Sequence, residues 1–479
     1  MGKRRKNKGG SPQKSPQKQS PQKGAQQSTA SNTTPPTSNT TNAASSIHNR
    51  RRTPLSASST KGLGSRALII VACLGYFAQK QLAPYFLPYG PAVNMQEGPP
   101  RFQPVDPSND KLRGKHGKLT KIYERLEHDV GDDDTEPLLL QGPETVLFHP
   151  KSGTMYVLTQ DALLVSLTDL KPHNSNNEDD GATTKIVTAK TTKVANLGTG
   201  RPMGARFTSD GKTLYIADAL LGLLRIVNPH DYPKSKVEIV ANQVTDGNNT
   251  TKILHANDVI IGPRSGKVYF TDSSDIGPER MGTQQSWDTM YAATMDWARG
   301  KPTGRLLEYN PKNNQLKVLA TGLWFSNGLG IDRDESSIMV AETFAGRVVR
   351  YHLKGSKVGT VETLVDSTDL PGFVDGLDCG PDKHSKCYAT VPSAAGRFTE
   401  LHRIWRNLVL LWPRWAFARN GGSPYGGVVE VDPKTQQIQY FQDPNGADIA
   451  HVTGVTVWKN KLYLGSSKNN FIGAYDLKK

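Results

Sequence analysis

The sequence predicts an all-β fold, a six-bladed β-propeller, on three observations. From about residue 143 onward, strand-like segments alternate with closely spaced turn signals, and helical periodicity is rare. A strand–turn–strand unit recurs six times, and most copies add a third strand. More than twenty strands exceed what a β-sandwich holds, whereas radially arranged four-stranded sheets leave few open edges. The second strands of the units fall at 155–157, 214–216, 268–270, 338–340, 387–389 and 462–464.

The first part of the chain, residues 1–65, is predicted to be a disordered basic cytosolic tail. It is rich in Ser, Thr, Pro, Gln and Asn, a composition that cannot bury enough apolar surface to offset ordering. Residues 1–66 hold thirteen Lys or Arg and no Asp or Glu, so only about +2 of the net charge of +15 belongs to the remainder. The basic charge therefore describes a tail, and a nucleic-acid partner is not expected.

Residues 66–88 are predicted to form a transmembrane signal anchor. The apolar run 67–78 falls short of the roughly 20 residues that cross a bilayer, but the segment is long enough if it continues to Leu87 with Lys80 reaching the interface. The basic flank before it predicts a cytosolic N terminus. This makes a single-pass type II protein of the endomembrane system, in the endoplasmic reticulum or the plasma membrane, with a lumenal or extracellular domain. A cleaved signal peptide and an organelle transit peptide are the alternatives.

The remaining chain divides into a Pro-rich and charged linker, residues 89–140, and the propeller domain, residues 141–479. Of the three cysteines, Cys379 and Cys387 flank a predicted hairpin turn and lack metal-site spacing. They form either a disulfide, in an oxidising compartment, or two idle thiols.

Two surface features carry further expectations. Asn248 and Asn249 begin overlapping glycosylation sequons on a predicted loop, which agrees with a lumenal domain. Residues 401–419 form a basic, Trp-rich amphipathic insert inside the fifth unit. Such a segment suits a membrane interface or the entrance for a lipophilic substrate, and an ordinary capping helix is the alternative.

One residue per unit occupies an equivalent position ahead of the central Tyr, by twelve residues in four of the units. The column reads Glu144, Met203, Asn257, Asn327, Asp375 and Thr453. At the start of innermost strands these side chains converge on the propeller axis. Two carboxylates and two amides are oxygen donors that suit Ca²⁺, and the column lacks the His or Cys that transition metals prefer. The alternative is a polar lining of a water-filled channel.

The same stretches resemble the strictosidine synthase-like family, over roughly residues 140–479. The motifs that carry the resemblance are Gly200-Arg201-Pro202-Met203-Gly204, Tyr215-Ile216-Ala217-Asp218-Ala219, Asn257-Asp258, Tyr269-Phe270-Thr271-Asp272, Phe325-Ser326-Asn327-Gly328, Ala341-Glu342-Thr343 and Leu462-Tyr463-Leu464-Gly465-Ser466. The resemblance implies a six-bladed propeller, similar also to paraoxonases and to gluconolactonase and regucalcin proteins. In those calcium-dependent hydrolases the metal ligands match Glu144, Asn257, Asn327 and Asp375.

The resemblance also sets expectations for chemistry. The acid/base glutamate of strictosidine synthase falls at Thr453, and the histidine proposed as base in paraoxonases falls at Met203, so neither reaction is expected in its usual form. What remains resembles a gluconolactonase, in which calcium polarises an ester carbonyl, Asp375 acts as ligand and general base, and His255 contacts the substrate. The predicted function is an arylesterase-like hydrolase of lipophilic esters or lactones; the alternative is a non-catalytic binding or scaffold propeller with a structural Ca²⁺.

Overall fold

The computed structural model describes residues 87, 89–95, 97–108, 110–112, 119–125, 139–173, 184–280, 287–380, 386–396, 403–411 and 424–477. All of them belong to one compact unit, Leu68–Lys479. The predicted tail and nearly all of the predicted anchor lie outside the described residues. Within the described ranges, no helix combines the length and the hydropathy needed to cross a bilayer.

The described residues form an all-β fold, as predicted, and their strands group into six antiparallel units. Ahead of them lies β1 (Leu119–Tyr123). Unit 1 contains β2 (Thr145–Phe148), β3 (Met155–Leu158), β4 (Leu163–Pro172) and β5 (Lys185–Asn196). Unit 2 contains β6 (Pro202–Phe207), β7 (Thr213–Asp218), β8 (Gly222–Val227) and β9 (Val237–Ala241). A hairpin of β10 (Gln243–Asp246) and β11 (Asn249–Lys252) follows.

The later units have the same order of strands. Unit 3 contains β12 (Ala256–Ile261), β13 (Val268–Asp272), β16 (Gly304–Asn310) and β17 (Gln315–Leu323), with the short β14 (Glu279–Arg280) and β15 (Trp287–Asp288) inserted. Unit 4 contains β18 (Ser326–Ile331), β19 (Ser337–Glu342), β20 (Arg347–His352) and β21 (Val361–Val365). Unit 5 contains β22 (Leu377–Cys379), β23 (Cys387–Val391), β24 (Gly426–Val431) and β25 (Ile438–Asp443). Unit 6 contains β26 (Gly454–Trp458), β27 (Lys461–Gly465) and β28 (Phe471–Asp476), completed by β1.

The first strands of the units form a closed ring. Strand β2 contacts β6, β6 contacts β12, and the series continues through β18, β22 and β26 back to β2. An apolar cluster fills the gap between each pair of neighbouring units. Between units 1 and 2, for example, Tyr156 and Leu164 pack with Phe207 and Ile216. Each sheet is thus buried on both faces, which explains why the second strands are apolar triplets and do not alternate with polar residues.

A strand from the segment predicted to be a linker joins the last unit to the first. Strand β1 pairs antiparallel with β28 of unit 6 and parallel with β5 of unit 1, joining the two units in one eight-stranded sheet. Leu119 and Ile122 are buried there. Within the predicted linker, residues 119–123 therefore form a strand of the domain; a short strand with two buried apolar residues has too little pattern to separate from charged linker sequence.

Among the described residues, two α-helices interrupt the series of strands, α1 (Thr289–Arg299) in unit 3 and α2 (Arg403–Leu411) in unit 5. Asp288 caps α1 by accepting a hydrogen bond from Tyr291 N, and Gly300 ends it in the left-handed conformation. The helices contact each other and share an apolar cluster with Leu87 and Ala92. The segment after the predicted anchor is therefore packed against the inserts.

Candidate metal centre

The six residues of the predicted column line one cavity, where the first strands meet. Each lies within two residues of the start of its strand, and the cavity holds about 50 Å³. One water requires roughly 10–15 Å³, so an ion with a few waters fits. The members are Glu144, Met203, Asn257, Asn327, Asp375 and Thr453. The column inferred from spacing is thus brought together in space.

Hydrogen bonds between neighbouring units fix the positions of these residues along the axis of the propeller. Gly328 N donates to Asp375 O at 3.0 Å, joining unit 4 to unit 5, and Gly376 N donates to Thr453 O at 2.9 Å, joining unit 5 to unit 6. Thr271 Oγ1 of unit 3 donates to Asn327 O at 2.9 Å. Backbone groups of neighbouring column positions therefore hold one another, which leaves the side chains to face the cavity.

Glycine follows four of the six column residues, because the first strands come too close for a Cβ. A Cβ at Gly454 would stand 2.0 Å from Glu144 O, and one at Gly376 would stand 2.4 Å from Thr453 O. Asn327-Gly328 belongs to this group: a Cβ at Gly328 would stand 2.1 Å from Leu377 N. These glycines permit the close approach of backbones.

This close approach gives a stability prediction. Gly454→Ala is expected to destabilise the domain by about 1–3 kcal/mol, because the new methyl group displaces the backbone that carries Glu144. Thermal unfolding of the variant measures the loss. The matched control is Gly396→Ala, where a Cβ meets no atom within 4 Å; equal unfolding temperatures for the two variants would contradict the assignment.

Both asparagines of the column turn their NH₂ groups toward hydroxyl groups of their own units. Asn257 Nδ2 donates to Ser273 Oγ at 3.0 Å, and Asn327 Nδ2 donates to Thr343 Oγ1 at 3.2 Å. This leaves the two Oδ1 atoms as the donors available to a cation. The amide orientation fits an oxygen-coordinated ion.

The two carboxylates of the column differ in their partners. Glu144 Oε2 pairs with buried Arg201 Nη2 at 3.2 Å. Asp375 is half-buried beside Glu144, with the side chain of Asn327 next to its carboxylate. Burial, together with the negative charge of Glu144, raises the pKa of Asp375 well above its ordinary value, against the effect of the Asn327 hydrogen bond. Arg201 belongs to a motif of the family resemblance, but its pairing with Glu144 has no local sequence signal.

A second set of charges lies next to the column. Arg206 Nη2 pairs with Asp378 Oδ1 at 3.2 Å, and Asp258 accepts from Leu329 N at 2.8 Å. Asp378 also accepts from Val457 N at 2.8 Å. Burial raises the pKa of Asp258 to about 6, against the attraction of Arg206. In their ionised forms, the four carboxylates of the two sets outnumber the two guanidinium groups by two charges, which matches a divalent cation.

Two buried acids that the column did not reveal position the asparagines. Asp272 Oδ1 accepts from His255 N at 2.9 Å, just before Asn257, and its carboxylate pairs with Arg305. Glu342 Oε1 accepts from Trp324 N at 2.7 Å, just before Asn327. The signal was present in the sequence, since both acids lie three residues after the central Tyr or Met of their units.

His255 does not line the cavity. It is 1% exposed, its ring packs edge-on against Phe325 at 5.3 Å, and Nδ1 lies 3.3 Å from Ile276 O. Burial lowers the pKa of His255 to about 4, against the effect of that hydrogen bond. The substrate contact predicted for His255 therefore has no support in the geometry, because the side chain packs against Phe325 and the carbonyl group of Ile276, outside the cavity lining.

The remaining predicted residues lie away from the cavity lining. Cys379 and Cys387 are joined in a disulfide with an S–S length of 2.05 Å, which links β22 to β23. Asn248 and Asn249 are exposed at the turn of the β10–β11 hairpin. Among the described residues, no group of three or more His, Cys, Asp or Glu is arranged to hold a metal ion; the column itself combines two such residues with two amides.

Comparison with known proteins places this ring in a family. A family model described as strictosidine synthase matches residues 257–356, which include Asn257 and Asn327. Strictosidine synthase-like protein 3 of Arabidopsis thaliana is 27% identical over 347 residues, 71% of this chain and 83% of that protein. Adipocyte plasma membrane-associated protein of Salmo salar is 30% identical over 321 residues, 63% of this chain and 72% of that protein. The chain belongs to the strictosidine synthase-like family.

Solved structures with a similar chain fold are less similar in sequence than these relatives. A gluconolactonase from Xanthomonas campestris is 12% identical with a TM-score of 0.44, covering 81% of this chain and 98% of that one. The calcium-binding protein regucalcin from Agrobacterium tumefaciens is 14% identical with a TM-score of 0.41, covering 71% and 90%. At this distance the likeness says nothing about chemistry.

Proposed function

We propose that this family member is a calcium-dependent hydrolase of esters or lactones, built as a six-bladed propeller around an axial ion. The observation that carries the proposal is the convergence of Glu144, Asn257, Asn327 and Asp375, each from a different unit, on one cavity. Two carboxylates and two amide oxygens are hard donors of the kind that Ca²⁺ takes in a flexible shell. In their ionised forms, the four carboxylates in and beside the cavity exceed the two guanidinium groups by two charges, which favours a divalent cation.

Each residue has a separate duty in this proposal. When bound, calcium would polarise the carbonyl of the substrate and stabilise developing negative charge. Arg201 holds the carboxylate of Glu144, and Asn327 orients that of Asp375. An oxygen of Asp375 accepts the proton of the attacking water. His255 is assigned no catalytic duty, because it lies outside the cavity lining.

Amine–aldehyde condensation of the strictosidine type is not proposed. It needs an acid/base group where Thr453 lines the cavity, and a threonine hydroxyl does not ionise near neutral pH and so cannot serve as one. The hydroxyl of Thr453 instead accepts a hydrogen bond from Ser467 N at 3.3 Å. Its contribution is to the lining of the site.

A second candidate function is a non-catalytic binding or scaffold propeller in which the ion is structural. The size of the cavity favours it: about 50 Å³ holds an ion and a few waters, while an ester must lie above the ring. Both candidates keep the ligand set, so only turnover separates them.

The proposal also includes the side of the membrane on which the domain lies. We place the domain on the lumenal or extracellular side of an endomembrane, held by the apolar segment 66–88. Asn248 and Asn249 support this side, because both sequons lie on an exposed hairpin that a glycosylating enzyme can reach.

Chelation tests the two candidates together. The purified full chain in detergent is assayed for hydrolysis of aryl acetates and lactones, and for its unfolding temperature, with chelator and after calcium is returned. We expect chelation to lower both, and calcium to restore both, because binding to the folded state adds about 2.7 kcal/mol at 100 times Kd.

The outcomes differ clearly. A lower unfolding temperature without turnover of any ester under either condition removes the hydrolase and leaves the structural ion. An unchanged unfolding temperature removes the ion, and with it both candidates.

A further inference from the structure

Helix α2 presents an apolar face to solvent. Trp405, Leu408 and Leu411 are 59%, 40% and 41% exposed, and their spacing of three residues places them on one side of the helix. Met290, at the start of the contacting helix α1, is 54% exposed. An apolar stripe of this kind normally faces a core, so its exposure indicates an interaction surface.

The opposite side of α2 is buried, and its two polar residues fix this orientation. Arg406 is 4% exposed and donates from Nη1 to Ala298 O at 3.1 Å, and from Nη2 to Val93 O. Asn407 Oδ1 accepts from Ala92 N at 2.9 Å. Turning the helix to bury Trp405 would break these bonds and leave a buried guanidinium group without acceptors, so the apolar face stays outward.

The position of this face identifies what covers it. The residues that α2 binds, Ala92 and Val93, follow within six positions of Leu87, the end of the apolar segment that is expected to enter a bilayer. Leu87 itself is 5% exposed in the same cluster as Val409 and Leu410. Six residues span at most about 20 Å, so a membrane that holds the segment ends beside α2.

The composition of the insert favours lipid over another protein chain. Trp is enriched where a membrane meets water, and cationic residues are attracted to anionic headgroups. Arg403 begins α2, and Arg414 and Arg419 follow it in the sequence. We propose that the face formed by Trp405, Leu408 and Leu411 lies in the lipid headgroup region, so that the side of the domain carrying α1 and α2 rests on the bilayer. This proposal does not depend on catalysis or on calcium.

Quenching by brominated lipid tests it directly. The full chain is reconstituted in vesicles of phosphatidylcholine and phosphatidylserine, with or without dibrominated phosphatidylcholine, and tryptophan emission is compared with that of Trp405→Phe. We expect the native chain to lose more emission than the variant, by up to one tryptophan's share of the seven in the sequence. Trp405→Phe keeps an apolar ring on an exposed site, so folding is preserved.

A matched control uses an apolar residue of similar exposure on an outer strand. Ile239 on β9 is 54% exposed, and Ile239→Trp in the Trp405→Phe background should add emission that brominated lipid does not reduce. Equal quenching of the native chain and Trp405→Phe would overturn the proposal. A dimer that depends on Trp405, without quenching, would overturn it too, since a second copy would then cover the face.

Discussion

Replacing Asp375 with asparagine is expected to remove calcium binding and hydrolysis together. The substitution keeps the shape of the side chain but removes one of the two carboxylates of the ring, and the charge of the ligands sets calcium affinity. We expect a loss of affinity on the order of 100-fold, about 2.7 kcal/mol. Calorimetric titration of the full chain with Ca²⁺ measures it. Hydrolysis should fall even at calcium concentrations that refill the site, because the amide accepts no proton from water.

Met203→Leu is the matched control for this prediction. Met203 lines the same cavity from unit 2 but offers no oxygen, and the two side chains have similar volume. Calcium affinity should therefore stay near that of the native chain. If the two variants lose affinity equally, the ring acts through packing and not through ligand oxygens. If Asp375→Asn hydrolyses esters at saturating calcium as fast as the native chain, Asp375 is not the base.

The ring of column residues could be predicted because it depends on local spacing. Four of the six units repeat a spacing of twelve residues, so the residue twelve positions before Tyr156 or Tyr269 falls at the equivalent place in its sheet, and the other two units depart from this spacing by only one or two residues. The glycines after four of the column residues strengthen this register. They lie where backbones of adjacent units nearly touch, as Gly376 does with Thr453 O.

The parts that escaped prediction depend on contacts between distant segments. Arg201 meets Glu144 across 57 positions of sequence, and Arg406 meets Val93 across 313. The hydrophobic pattern of α2 predicts an amphipathic helix, but not that buried backbone carbonyls would hold its polar face inward. His255 illustrates the same limit. Residues two apart in a regular strand share a face, but His255 precedes β12 and the register of β12 shifts between Ala256 and Val259.

Strand β1 is the clearest case of such a contact, and it gives the second large prediction. Ile122 is 2% exposed, pairs with Ile472 of β28 on one side and with Val187 of β5 on the other, and packs between units 1 and 6. Ile122→Ala should cost about 2–5 kcal/mol through the lost side chain alone. Ile122→Pro should cost clearly more, because β1 has a partner strand on both sides and a proline removes a backbone donor wherever it points.

The comparison of these two variants separates side-chain packing from closure of the ring. Denaturant midpoints of the full chain give the free energy of unfolding, and limited proteolysis reports opening of the first and last units. Lys121→Ala is the neighbouring control, with an expected loss of about 0–1 kcal/mol, because its ion pair with Asp448 is long, at 3.7 Å, and both side chains keep some contact with solvent. If Ile122→Pro unfolds at the midpoint of Ile122→Ala, the backbone of β1 does not hold the ring closed. If Ile122→Pro unfolds at a lower denaturant concentration and is cleaved within the first and last units, a strand from the predicted linker completes the domain that carries the metal centre.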